Sequence, residues 1–420
     1  MNALTGTLQP ADADEAAFGL GELFYSRTDL RGVIRTGNTV FQRVSGFTWA
    51  ELLSAPHRLV RHPDTPRAVF NILWQTIQRG EPVVAYIKNK CANGAHYWVL
   101  ATVLPLKDGY LSIRIKPTSP MFATMMAEYA ALVAEERSEA LTPDVSAARL
   151  VGRVQSLGFA DYRRFMTHAL TQEYAARDRA AKHVNGAVLA EIDKVQASLA
   201  TITTEQDALL QEFDRLRDLP TNMRIIASRL EPSGGPVSAI SENYKITSTE
   251  LSSAIKTFAV GEASLLKQMV ASFQQAVIMI LCARLQAEVL HEFNQERAME
   301  ATFDRAAEET TLSDLSRSYD ANAGAALARA EQMARALAGD CSDIRRAMLG
   351  LDSIRVMGRV ESGRLGTAGA HLSATIDQLD VRHAAIIRRL ELIMELSKTI
   401  DAGVHRIRVQ YQPKPLQQDR

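Results

Sequence analysis

The chain has 420 residues, with 48 Lys+Arg against 48 Asp+Glu, 46% hydrophobic and 23% charged residues. That length suggests two or three domains, and the composition is that of a folded chain. Zero net charge gives no overall field for gathering phosphates, which argues against a nucleic-acid coat or a polybasic membrane tether while leaving room for a local patch. The three cysteines, Cys91, Cys282 and Cys341, are far apart, with no CxxC spacing for zinc or redox work. The longest uncharged apolar-leaning run, Gln268 to Ala283, holds three Gln and one Ser and falls short of the ~18 to 20 apolar residues that span a bilayer. Asp12, Asp14 and Glu15 stand where a signal peptide would carry basic residues and an apolar stretch. The expectation is a cytoplasmic protein with no membrane span.

Up to Pro120 the pattern is mixed and holds all three tryptophans, Trp49, Trp74 and Trp98. Short β-type runs lie at Val33-Ile34, Val83 to Lys88, Tyr97 to Leu104 and Leu111 to Lys116. Turn signals separate them, and Asn93-Gly94 predicts a hairpin because both residues tolerate positive φ. Helical pieces are expected at Asn38 to Val44, Thr48 to Leu53 and Thr65 to Arg79. Short helices and a three-stranded meander make an α+β domain of about 100 residues.

After Pro120 the chain is almost entirely Ala, Leu, Glu, Gln and Arg. Heptad steps run through Val188, Ile192, Val195, Leu199 and Ile202, and again through Leu372, Ile376 and Leu379. Thr142-Pro143-Asp144 restarts a helix, Gly158 marks a break, and Pro220 kinks or restarts a helix. Long helices are expected over about 172–230, 238–300, 312–362 and 368–410, with loops at 230–236 and 363–369. Such stripes need partner helices, hence a coiled-coil or four-helix bundle, within one chain or completed by a dimer. Met223 to Glu231 and Ile354 to Glu361 form a faint repeat, each ahead of a Gly-containing loop. The full division reads as an N-terminal segment 1–20, an α+β domain 21–118, a helical linker 119–171, a hairpin 172–302 with its tip near 230–237, a second hairpin 303–411 with its tip near 362–369, and a tail 412–420.

The densest motif is Val60-Arg61-His62-Pro63-Asp64-Thr65-Pro66. Trp74, Gly80-Glu81-Pro82, Lys88-Asn89-Lys90, Asn93-Gly94 and His96-Tyr97-Trp98-Val99 follow it, and Asn38-Thr39-Val40-Phe41 and Ser45-Gly46 precede it. Over about residues 24–118 this resembles the PAS domain of bacterial aerotaxis receptors. The resemblance implies a pocket for FAD whose redox state is the signal. It points to Asn38, Arg61, His62, Asp64, Trp74 and Asn89 as binding residues. Asn89 would offer an amide to the polar edge of the ring, Trp74 an aromatic wall, and Arg61 a bidentate grip on a diphosphate. Val83-Val84 stand where those receptors carry a tryptophan after the proline.

Plainer readings stand beside these. Asp64 could be an N-cap for the helix near Thr65, Arg61 a surface ion-pair residue, and Trp74 a core residue with Phe70 and Ile77. His96 could ligate haem or be a solvated strand residue, and Cys91 reads as a small strand residue. Thr221 to Ser241 resembles a worn version of the hairpin tip of chemoreceptor signalling domains, with Ile226 at a family glutamate position. That implies a chemotaxis histidine kinase, its coupling protein or other receptors as partners, and a homodimer. Glu135-Glu136 and Glu308-Glu309 read as solvated helix positions. No nucleotide-binding, zincin or serine-hydrolase motif is present, so no enzyme is expected. Three functions remain open: an FAD redox sensor relaying to a helical bundle, a cofactor-free PAS scaffold, and a haem gas sensor.

Overall fold

A computed structural model describes residues 14–180, 186–217, 219–230, 235–259, 264–295 and 305–411. The chain divides into two compact units, Met1–Leu189 with Gln274–Ala323, and Ala190–Phe273 with Gly324–Arg420. This division runs through long helices and crosses the sequence boundaries at 171 and 302.

In the first unit five antiparallel strands, β1 (Leu23–Asp29), β2 (Ile34–Gly37), β3 (Val83–Lys90), β4 (His96–Leu106) and β5 (Gly109–Ile115), form one sheet in the order β2-β1-β5-β4-β3. Helices α1 (Thr39–Ser45), α2 (Trp49–Leu52) and α3 (Arg67–Ile77) fill the crossover from β2 to β3. The local chemistry sets these starts and stops. The Asn38 side chain accepts from Phe41 N at the head of α1, and Gly46, at φ 71, ends it in the left-handed region. Thr48 and Glu51 form a capping box on α2. Asp29 Oδ1 accepts from Arg31 N and Val33 N at 2.9 Å each, folding the β1–β2 turn around Gly32 at φ 76.

The β3–β4 hairpin forms where Asn93-Gly94 places it, by a different route. Gly94 alone takes positive φ, while Asn93 Oδ1 accepts from Ala95 N, so the turn is a five-residue loop and not a two-residue one. The segment ahead of the domain is also built in. Ala16 N donates to His96 O at 2.7 Å, and Phe18 packs on Phe24 with centroids 4.8 Å apart.

Both faces of the sheet are covered, which is why its strands are buried along nearly their whole length. Helices α1 to α3 lie on one side. On the other, Tyr86 and Trp98 meet Phe122 of α4 (Pro120–Ser138), and Tyr86 meets Phe165 of α6 (Tyr162–Ala180). Between those helices α5 (Pro143–Ser156) starts on a Thr142 cap. Glu135-Glu136 is not a solvated pair. Glu136 is buried, and its Oε1 accepts from Arg67 N at 2.7 Å, capping α3 because the preceding Pro66 has no side chain to do so. Glu308, also expected to be solvated, is 2% exposed against Arg27 Nε at 3.0 Å, and burial raises its pKa.

The remaining helices are α7 (Gly186–Arg217), α8 (Leu219–Leu230), α9 (Pro236–Ala259), α10 (Leu265–Gln295), α11 (Arg305–Arg364) and α12 (Ala370–Gln410). Pro220 sits in the first turn of α8. The first expected tip is described only from Gly235 on, since 231–234 lie outside the described residues. The heptad residues Ile192, Val195, Leu199 and Ile202 are buried, as are Leu372, Ile376 and Leu379. In the second unit, Glu205–Arg389 (2.5 Å) and Glu212–Arg382 (2.8 Å) run α7 antiparallel to α12. Arg335–Asp401 (2.9 Å) and Arg359–Asp377 (2.7 Å) run α11 antiparallel to α12. Each pair is worth about 0–1 kcal/mol, so the pairs set register more than stability. A Cβ on Gly358, in the second copy of the faint repeat, would touch Ile376, Ile240 and Met223, the last in the first copy. Residues 265–294, within α10, are long and apolar enough to cross a membrane, contrary to the sequence expectation, and 61% of the apolar window is buried.

Candidate functional site

A cavity of about 270 Å³ lies between α3 and the sheet face formed by Ile87 and Asn89 of β3, Val103 of β4 and Tyr110, Ser112 and Arg114 of β5. That is just under the lower end, about 300 Å³, of ordinary ligand pockets. Phe70, Trp74 and Ile77 form its helical wall, and Trp74 meets Tyr110 edge-on with centroids 5.6 Å apart. Gly32 closes one side. A Cβ there would stand 3.1 Å from the Trp74 ring.

The polar lining is strongly one-sided. Arg31, Arg58, Arg61 and Arg114 contribute four guanidinium groups, and among the described residues no aspartate or glutamate lines the cavity. The Arg61 guanidinium lies 3.7 Å over the Phe70 ring, and burial lowers its pKa. Arg114 is 3% exposed, and burial lowers its pKa to about 10. Its Nη2 donates to Ser26 Oγ at 3.0 Å and meets the His57 ring, while Nη1 has no partner among the described residues. Desolvation and then Arg114 push His57 down to about 3, so it stays neutral. Asn89 is 3% exposed, and its Nδ2 also has no partner. Buried donors without acceptors cost about 1–3 kcal/mol each, and a ligand with carbonyl or anionic groups would satisfy them.

The sequence motif is partly gathered here. Arg61, Trp74 and Asn89 line the cavity, and Arg61 forms an isolated antiparallel bridge with Asn89 of β3. The other three residues singled out lie outside it. Asn38 is fully buried and saturated: Oδ1 accepts from Tyr25 N (3.1 Å) and Phe41 N (3.2 Å), and Nδ2 donates to Leu23 O (2.8 Å). Asp64 pairs with Lys88 (3.1 Å) and Arg137 (2.9 Å). It does not cap α3, which begins at Arg67 after Pro66. His62 accepts from Asp64 N at 3.1 Å, and desolvation and then Lys88 lower its pKa.

His96, weighed as a haem ligand or a solvated residue, is neither solvated nor at the cavity. It is 9% exposed and edge-on to His62 at 6.0 Å. Cys91 is buried with Sγ 3.2 Å from Val44 O, and burial raises its pKa. Among the described residues no three of His, Cys, Asp and Glu cluster as metal ligands. Sequence reading missed Arg114, His57 and Ser112. The signal was the alternation Tyr110-Leu111-Ser112-Ile113-Arg114-Ile115, whose polar set marks one face, but alternation alone assigns that face to solvent.

Behind the sheet a second polar group joins the domain to its helices. Glu173 of α6 is fully buried. Its Oε1 accepts from Tyr86 OH (2.9 Å) and Ser119 Oγ (2.6 Å), and its Oε2 from Thr118 N (2.6 Å) and Ser119 N (2.9 Å). Tyr86 stands on β3 next to cavity-lining Ile87, and Thr118-Ser119 is the exit from β5 into α4.

Residues 35–111 match the family model for the PAS fold. The chain is 42% identical over 119 residues to the aerotaxis receptor of Escherichia coli (strain K12), covering 27% of this chain and 24% of that receptor. It is 32% identical over 81 residues to the nitrogen fixation regulatory protein of Klebsiella pneumoniae, covering 19% and 16%. The chain thus spans less than a quarter of the length of each. Among solved structures, the light state of the blue-light photoreceptor Aureochrome1 LOV is 19% identical, with a TM-score of 0.23, covering 25% of this chain and 88% of that one. The N-terminal region of this chain is a PAS domain like that of the aerotaxis receptor, followed by long helices.

Proposed function

We propose that the protein is a cytoplasmic redox sensor whose PAS cavity holds a flavin, FAD in the first instance, and whose helices carry the output to a signalling partner. The observation that carries this reading is the cavity lining, which among the described residues has an aromatic and aliphatic slot, four arginines, no carboxylate, and two buried donors without acceptors. A flat, electron-poor ring with a carbonyl edge and a phosphate-bearing tail fits that set. Trp74, Phe70 and Ile77 would wall the ring, Asn89 and Arg114 would donate to its polar edge, and Arg31, Arg58 and Arg61 would receive the phosphates. When bound, a flavin supplies a change of charge on reduction.

The chain's own part is to feel that charge and pass it on. Asn89 and Ile87 sit on β3 beside Tyr86 and Lys88, whose side chains face away from the cavity. A small shift of β3 therefore reaches Tyr86, then Glu173 and the exit at Thr118-Ser119. Two arrangements of that hydrogen-bonded set would bias α4 and α6. The hairpin of α8 and α9, where Thr221 to Ser241 resembles a chemoreceptor tip, is our choice of partner surface, for a chemotaxis-type kinase complex and a homodimer. Placement in the cytoplasm draws on the burial of most of the apolar window in α10.

The test is the flavin-to-protein ratio of Asn89→Ala and Trp74→Ala against wild type. Both should lose most bound flavin while keeping wild-type circular dichroism. Full occupancy in both would refute the placement of the ring.

A further inference from the structure

Arg114 stands apart from the other charged groups of the first unit. It is 3% exposed and forms no ion pair among the described residues. Its neighbours include a hydroxyl, Ser26 Oγ, a neutral imidazole, His57, the Phe41 ring 5.4 Å away, and the buried phenol Tyr97, which also interacts with it electrostatically. One end of the guanidinium, Nη1, is unbonded. A buried guanidinium without a counter-charge is costly, and a domain keeps one where something else supplies the negative charge. Among the described residues, the cavity that Arg114 lines holds no carboxylate that could do so.

We propose that Arg114 is the counter-charge for the cavity's ligand, donating to an anionic or strongly accepting edge. Resting on the flavin reading above, it is the residue that favours the reduced, negatively charged ring over the oxidised one. Arg31, Arg58 and Arg61 do a different job. Arg31 and Arg58 are exposed and Arg61 half-buried, so they add affinity for phosphates without selecting a redox state.

The experiment uses the 420-residue chain as wild type, Arg114→Gln and Arg114→Lys. Bound flavin is titrated with dithionite, which is oxidised to sulfite as it gives two electrons to the ring. The ring takes up one proton and keeps one negative charge. Flavin-to-protein ratio, midpoint potential and the melting temperature of the flavin-stripped protein are read for each.

Arg114→Gln is expected to disfavour reduction at least tenfold, about 30 mV lower for a two-electron couple. Its stripped form should melt at or above wild type, because an uncompensated buried charge is gone. Arg114→Lys should hold the potential near wild type. An Arg114→Gln that keeps no flavin, melts normally and is rescued by Arg114→Lys also supports the proposal. A loaded Arg114→Gln with wild-type potential overturns it and leaves the flavin reading intact. Loss of flavin in both variants with a lower melt also overturns it, assigning Arg114 a packing role. A wild type that carries no flavin overturns both readings.

Discussion

Replacing Glu173 with Gln tests the joint between sheet and helices. The carboxylate accepts four hydrogen bonds, two from backbone N–H groups and two from hydroxyls, with no water access. A bond to a charged acceptor contributes about 1.5–3 kcal/mol and a neutral one about 0.5–1.5, so neutralising this acceptor costs about 1 kcal/mol per bond. The amide NH₂ also cannot accept, so the two hydroxyls must rotate to receive from it. Against this, glutamine avoids the carboxylate's desolvation, which returns part of the sum. A net loss of about 2 kcal/mol remains, or roughly 4–8 °C in melting temperature for a unit of this size. Glu173→Ala orphans all four donors, at about 1–3 kcal/mol each, enough to threaten folding. The assay is thermal and urea unfolding of Glu173→Gln, Ser119→Ala and the double variant. A coupling energy near 1 kcal/mol is expected between positions 119 and 173. A Glu173→Gln protein melting within 1 °C of wild type would refute the claim that this carboxylate ties the sheet to α4 and α6.

Three further outcomes follow from the geometry. Asn38→Ala removes three buried hydrogen bonds and should cost about 2–3 kcal/mol in urea unfolding while leaving flavin per folded molecule unchanged; flavin loss without destabilisation would move Asn38 into the binding site. Gly32→Ala strains a residue at φ 76 by about 1–2 kcal/mol and pushes against Trp74, so flavin occupancy should fall by more than stability explains. His383, buried against Tyr244 and near Asp352 and Arg355, is lowered to about 4 by desolvation and then Arg355. Its unfolded form takes up a proton below about pH 6.5 and its folded form does not, so the stability it permits is intact above 6.5 and is lost as pH falls through 4. Wild type should lose about 1–2 kcal/mol more than His383→Gln between pH 7 and pH 5, as read by urea unfolding; equal losses would contradict the depressed pKa.

The meander and the helices α1 and α2 were legible because their caps and turns are local: Asn38, the Thr48–Glu51 box, Gly46 and Gly94 act within four residues. The strand Leu23–Asp29 was not. Its sequence, LFYSRTD, shows no clean alternation because it pairs on both edges in the middle of the sheet and is buried on both faces. The same two-sided burial hid Arg114, whose strand position suggests solvent until the opposite face is known to be covered. Glu136 and Glu308 read as solvated helix charges, and only tertiary packing gives them buried donors. Within the site, Arg61, Trp74 and Asn89 were found through the motif and lie together at the cavity. Asn38, His62 and Asp64 lie outside the cavity lining: Asn38 bonds backbone groups of Leu23, Tyr25 and Phe41, His62 accepts from Asp64 N, and Asp64 pairs with Lys88 and Arg137.

The absorbance spectrum of the freshly purified protein, before and after dithionite, tests the central claim most directly. Heat release and chromatography of the chromophore would follow. A flavin spectrum that bleaches, recovers in air and yields FAD is the expected result. A colourless protein, or one with a haem spectrum, would contradict a flavin in this cavity.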